Sequence, residues 1–223
     1  MKVLRDPLGR PINRLYFKAE ELDARCERKI ADFMDGHRGG FRLPIPTDDL
    51  IRLIEMDTDD LDMYADLPEE EDGHTDFFAD RKPRVTIAKR LSDPRYENRL
   101  RMTLGHEYGH VWFHAPLWRI SGFGTDDGPA EPRWTCYRDQ IVDAPQSDWM
   151  EFQAAYIGGA LLMPAYSVKL WAGEIAMREA KQPPVPEGSD LGRAMIERLI
   201  RRCRVSEQAA RVRLLRLGLV VEP

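Results

Sequence analysis

The segment TLGHEYGHVWFH, residues 103–114, holds three of the chain's five histidines, each four positions from the next. Leu104, Val111, Trp112 and Phe113 surround them with apolar side chains, and no proline interrupts the run. The spacing predicts a helix. On a helix, four residues advance about 6 Å along the axis and return almost to the same face. His106 and His110 therefore present two imidazoles to one point. Glu107 is turned about 100° from His106, so it flanks that point without occupying it. Gly109 is a poor helix former, costing about 1 kcal/mol against alanine, and its presence suggests that another element packs close there.

Two imidazole nitrogens at this separation can share one Zn²⁺ at about 2.0–2.1 Å each. With Glu107 placed to hold a water on the cation, the set His-Glu-x-x-His is the zinc metallopeptidase motif. A catalytic zinc needs a third protein ligand and one open position. His114 is a poor third ligand, because on a continuous helix it lies about 12 Å along the axis from His106. It is read as a helix-end residue or one that supports a ligand from behind. Glu151 is the better candidate. It begins a helical stripe with Ala154, Ala155, Gly158 and Gly159, small residues that let two helices approach and bring a carboxylate to the metal. Asp139, Asp143 and Asp148 are the fallback ligands.

The rest of the chain bounds the answer. At 223 residues, 43% hydrophobic and 32% charged, it has enough apolar material for a core without a metal to hold it. A net charge of −5 argues against coating nucleic acid with the whole surface. The start, MKVLRDPLGR, lacks the apolar centre of a secretory leader. The most apolar stretch, AAYIGGALLMPAY, is too short to cross a bilayer, so no membrane is expected. Cys26, Cys136 and Cys203 are scattered and odd in number, which predicts reduced thiols and a cytoplasmic setting.

Along the chain, residues 13 to 36 read as an amphipathic helix with Leu15, Leu22, Cys26, Ile30 and Phe33 buried. Thr47 is the expected cap of a second helix. Residues 47 to 80 are acidic with Arg52 as the only base, and read as solvated turns between short strands. HTDFFA and RVTIAKRL read as two strands joined by DRKP, with Val85 and Ile87 on one face. A helix follows Pro94, and Pro116 with the glycines at 122, 124 and 128 is expected to mark its end and a long loop. Further helices are expected over 148–163, stopped by Pro164, over 166–180, and twice within 190–217, after the Pro-rich KQPPVPEGSD. Residues 190–217 carry eight arginines against three acids. Ser206 can cap the last helix, leaving Arg211, Arg213 and Arg216 partly exposed. This pair of helices reads as a basic cap on the core more readily than as a nucleic-acid contact, since no base-reading Asn or Gln cluster on it.

HEYGH, followed some forty residues on by EFQAAYIGGALLMP, resembles the ImmA/IrrE family of zinc metallopeptidases. RVTIAKRLSDPRYENRLRMTLGHEYGH is similar to that family's strand-then-helix approach to the motif, and RCRVSEQAARVRLLRLGLV to its C-terminal segment. Ala155 stands where the family has asparagine, and Ile157-Gly158 where it has Phe-Ala. The resemblance implies zinc ligands at His106, His110 and Glu151 and a general base at Glu107. It implies a zincin-like core with a small sheet beside the motif helix. The expected fold is α+β: a mostly helical core with a small, mainly antiparallel sheet over residues 1–182, and, from the reading of its helices, a C-terminal helix-turn-helix-like segment over 188–223. The implied substrate is a protein partner, a helix-turn-helix transcriptional repressor. Tyr137, Arg138, Tyr156 and His74 are candidates to steady the oxyanion, and an exposed strand edge within 74–89 is expected to receive an extended substrate. A non-catalytic zinc-containing regulator that binds a repressor or DNA is the competing reading. A zinc hydrolase acting on something else, or the toxin of a toxin–antitoxin pair, is another.

Overall fold

The computed structural model describes residues 2–10, 12–121, 133–137, 142 and 148–222. The fold is α+β, helices with small sheets. It opens with an antiparallel ribbon, β1 (Lys2–Arg5) and β2 (Asn13–Tyr16). The helix expected from residue 13 starts only at Ala19. Leu15 fits a helical stripe by spacing, but it pairs with Val3 across the ribbon; a four-residue window does not separate the two periods. α1 (Ala19–Arg38) is nucleated by Glu21, whose carboxylate accepts from the Lys18 backbone N–H at 2.9 Å, and it ends on Gly39 with φ 68°. Leu22, Cys26, Ile30 and Phe33 are buried, as the stripe requires.

α2 (Thr47–Glu55) begins at Thr47, not after it, and Pro46 occupies the cap position. The Thr47 hydroxyl instead donates to Glu97 at 3.2 Å. β3 (Asp60–Ala65), β4 (Glu71–Asp76), β5 (Arg84–Ala88) and β6 (Arg133–Tyr137) form one sheet in the order β3-β5-β4-β6. β4 is antiparallel to both neighbours, and β3 is parallel to β5. This corrects the expected docking edge. β4 and β5, the two strands with residues in 74–89, are both interior, because β3 pairs with the far side of β5 and β6 with the far side of β4. The acidic run is partly an edge strand: in β3, exposed Asp60, Asp62 and Tyr64 alternate with half-buried Leu61, Met63 and Ala65. Charge on an edge discourages pairing with other chains.

α3 (Glu97–Gly109) carries the histidine motif, continues through a π-helical turn at His110–His114, and becomes α4 (Ala115–Ser121). Pro116 does not end the helix. It lacks the N–H that would continue the ladder, and the helix widens just before it. The loop expected at the glycines 122, 124 and 128 lies outside the described residues. α5 (Trp149–Leu162) is capped by the Asp148 carboxylate, which accepts from the Met150 N–H at 3.1 Å, and stops before Pro164. α6 (Ala165–Arg178), β7 (Val185–Pro186), α7 (Asp190–Cys203), α8 (Glu207–Arg216) and β8 (Val220–Val221) complete the chain, with β7 parallel to β8. Ser206 caps α8 by accepting from the Ala209 N–H at 3.1 Å.

α3 lies between the sheet and α5. Its backbone touches that of α5: a Cβ on Gly109 would sit 2.8 Å from the Ala154 Cα, and one on Gly158 would sit 3.0 Å from the His106 N. Only glycine permits this approach, and Gly158 with Ala154 forms the contacting part of the small-residue stripe. One apolar cluster runs from Leu22 and Ile30 of α1, through Leu161 of α5, to Met195, Leu199, Leu214 and Val220 near the C-terminus. Side chains on both sides of the expected 182/188 boundary therefore share one core. Arg213, expected to be partly exposed, is 2% exposed and donates to Asp23 at 2.7 Å and to the Met163 carbonyl at 2.9 Å. A helix tilted onto the core buries even an arginine when a carboxylate waits for it.

Candidate metal centre

α3 positions His106 and His110 one turn apart, and α5 delivers Glu151 from its own first turn. The three side chains are buried and form the one His/Cys/Asp/Glu group among the described residues arranged to hold a metal. The His106 and His110 Nε2 atoms are 3.1 Å apart. His106 Nε2 lies 3.1 Å from Glu151 Oε2, and His110 Nε2 lies 3.3 Å from Glu151 Oε1. A tetrahedral ion with bonds of about 2.0–2.1 Å spaces its ligand atoms about 3.3 Å apart. The observed separations match that spacing, and two imidazole nitrogens with a carboxylate suit zinc. Glu151 stands in the first turn of α5, where the helix dipole favours negative charge. Burial pushes its carboxyl up, but the His110 and His106 rings together outweigh burial and hold it well below the usual carboxylate range.

Glu107 is fully buried. Its Oε2 accepts from the Thr75 hydroxyl of β4 at 2.6 Å, and its Oε1 has no hydrogen-bond partner among the described residues. Gly73, two residues before Thr75 on the same strand, leaves room there: a Cβ on it would lie 3.4 Å from Oε1. Burial raises the proton affinity of Glu107, against the opposing pull of the His110 and His106 rings and the Thr75 hydroxyl. A carboxylate held at one oxygen and unshared at the other, with its pKa raised, is equipped to take a proton and return it.

His114 is not in the metal group. Its Nδ1 lies 3.0 Å from His110 Nδ1, and its Nε2 lies 3.0 Å from Gln153 Oε1. Burial holds the ring well below the usual histidine range, so it is neutral. The π turn spans these two histidines, and such widened turns are frequent at functional sites.

The other candidates lie elsewhere. His74 sits one residue from Thr75 on β4 and so faces the opposite side of the sheet, where its Nδ1 pairs with Glu71 at 2.6 Å. The Tyr156 hydroxyl is committed to Asp23 at 3.0 Å. Tyr137 ends β6 opposite Glu71, and its side chain lies outside the described residues, as do Arg138, Asp139 and Asp143. Asp148 caps α5 and pairs with Arg10 at 3.0 Å. Sequence reasoning missed Thr75 and Gln153. Gln153 did leave a signal, as one of two polar side chains in the apolar run EFQAAYIGGALLMP. Thr75 left none, since only strand pairing and the packing of β4 on α3 bring it to Glu107.

Comparison of the chain with protein-family models, with curated proteins and with solved structures gave no match.

Proposed function

We propose that this chain is a zinc-dependent endopeptidase with a zincin-like core. The observation that carries the proposal is the convergence of His106 Nε2, His110 Nε2 and the Glu151 carboxylate, with Glu107 beside them offering an unshared oxygen. A site that merely braced the fold would have no use for a second buried carboxylate that no permanent cation answers among the described residues. His106, His110 and Glu151 would hold the zinc, which supplies Lewis acidity toward water and a peptide carbonyl alike.

The protein's own groups do the rest. Thr75 fixes one Glu107 oxygen and leaves the other unshared among the described residues. Glu107 Oε1 accepts the proton of the attacking water and passes it to the departing amine. Its raised proton affinity makes the uptake step easier than it would be for an ordinary carboxylate. An extended substrate pairs with β6, the sheet edge that adjoins the Thr75-bearing strand. The substrate class follows from the resemblance to the ImmA/IrrE peptidases: a helix-turn-helix transcriptional repressor, cleaved in the cytoplasm. α7 and α8 then serve as a basic helical cap on the catalytic core rather than as a nucleic-acid reader.

The test is cleavage of repressors encoded near this gene by zinc-loaded protein in ¹⁸O-water, read by mass spectrometry. Fragments with ¹⁸O at a new C-terminus are expected. Zinc binding with every candidate left intact would favour the non-catalytic regulator.

A further inference from the structure

We propose that Gln153 and His114 form a relay that fixes the tautomer of His110 and so aims the lone pair of its Nε2 into the metal group. This deepens the metal-centre reading and rests on it only for what binds there.

The relay is determined from its far end. The backbone carbonyl of Leu15, on β2, can only accept a hydrogen bond. Gln153 Nε2 donates to it at 3.2 Å, so the amide NH₂ faces Leu15 and Oε1 faces away. Turning the amide over would set two oxygens against each other. Oε1 lies 3.0 Å from His114 Nε2, and that nitrogen must therefore carry the proton. A neutral imidazole has one ring proton, so His114 Nδ1 keeps a lone pair. His110 Nδ1 lies 3.0 Å from it and must be the N–H. With that proton on Nδ1, Nε2 is the ring nitrogen of His110 left to hold a metal, and it is the atom that faces His106 Nε2 and Glu151 Oε1.

Burial makes the chain of inference strict. His110 and His114 are 0% exposed and Gln153 is 6% exposed, which leaves the side chains to answer one another. The His114 ring is also held in place: Trp149 meets it edge-on at 5.3 Å and 90°, and the Trp149 indole N–H donates to Asp6 at 3.0 Å. The N-terminal ribbon thus supports the relay twice, through Leu15 and through Asp6. Metal-ligating histidines commonly give their second N–H to an acceptor that sets the ring. Here the acceptor is a neutral ring, which adds no third negative charge near Glu107 and Glu151.

The direct test is two-bond ¹H–¹⁵N correlation on histidine-labelled, metal-free protein. His110 as the Nδ1–H tautomer and His114 as the Nε2–H tautomer are expected; either ring in the opposite form overturns the relay. Zinc affinity, measured by competition with a chelating dye, is the second readout. His114→Phe keeps an aromatic ring against Trp149 and is expected to weaken zinc binding by about 10–100-fold. Gln153→Met should weaken it by less. Wild-type affinity in His114→Phe would also overturn the relay. Wild-type protein that takes up no zinc would refute the metal reading instead, while the tautomers would still be read without metal.

Discussion

Two buried polar clusters share helix α5, and they are built on opposite rules. Around Tyr156 a buried carboxylate meets a buried guanidinium. Asp23 accepts from Arg213 at 2.7 Å and from the Tyr156 hydroxyl at 3.0 Å, and Arg213 also donates to the Met163 carbonyl. One turn and a half earlier, around Glu151, two carboxylates are answered among the described residues only by imidazoles and a hydroxyl, and Glu107 keeps an oxygen unshared by any of them. The first cluster neutralises itself and ties α1, α5 and α8 together. Among the described residues the second has no permanent cation against its two carboxylates. Burying a charge is costly unless it is paired, so an arrangement of the second kind points to a ligand, where one of the first kind points to the fold.

The contrast can be broken by substitution. Glu107→Gln should cut peptide turnover by about 10²–10⁴-fold, the share that proton transfer commonly contributes, with zinc content unchanged. Unchanged turnover would remove Glu107 from the chemistry. Arg213→Ala should cost about 3–5 kcal/mol of stability, because it strands Asp23 in the core; denaturant unfolding reads this, and the folded fraction should still take up zinc. A loss below about 0.5 kcal/mol, typical of surface positions, would show that the two clusters do not differ as described.

Chelating the metal should move stability in the other cluster. A cation present at about 100 times its dissociation constant contributes about 2.7 kcal/mol, so the melting temperature should fall on chelation in wild type and stay fixed in Glu151→Ala. The smallest effect concerns the thiols. Burial pushes Cys26 and Cys203 up to about 12, so both remain protonated at pH 8, and thiol reagents should reach them only through opening of the core. Peptide mapping should find both unlabelled in the native protein and labelled faster in Arg213→Ala.

The metal group was legible in the sequence because its parts are local. His106 and His110 need only helical spacing, and Glu151 announces itself at the head of a small-residue stripe that a neighbouring helix can touch. What failed was what depends on pairing across the chain. The order of the sheet is set by β3 running parallel to β5, and nothing in RVTIAKRL tells which side of that strand will be covered. Arg213 looked solvent-facing because arginines usually are, and its partner Asp23 lies far back in α1. Leu15 sat in register with a helical stripe and proved to belong to a ribbon whose carbonyl ends the histidine relay.

X-ray absorption at the zinc edge of loaded protein bears most directly on the metal group. The result expected is one zinc per chain, with two imidazoles and oxygen ligands at about 2.0–2.2 Å and no sulfur, and loss of that signal in Glu151→Ala. Sulfur at about 2.3 Å, or an unchanged spectrum without Glu151, would place the ion elsewhere and contradict the convergence of His106, His110 and Glu151.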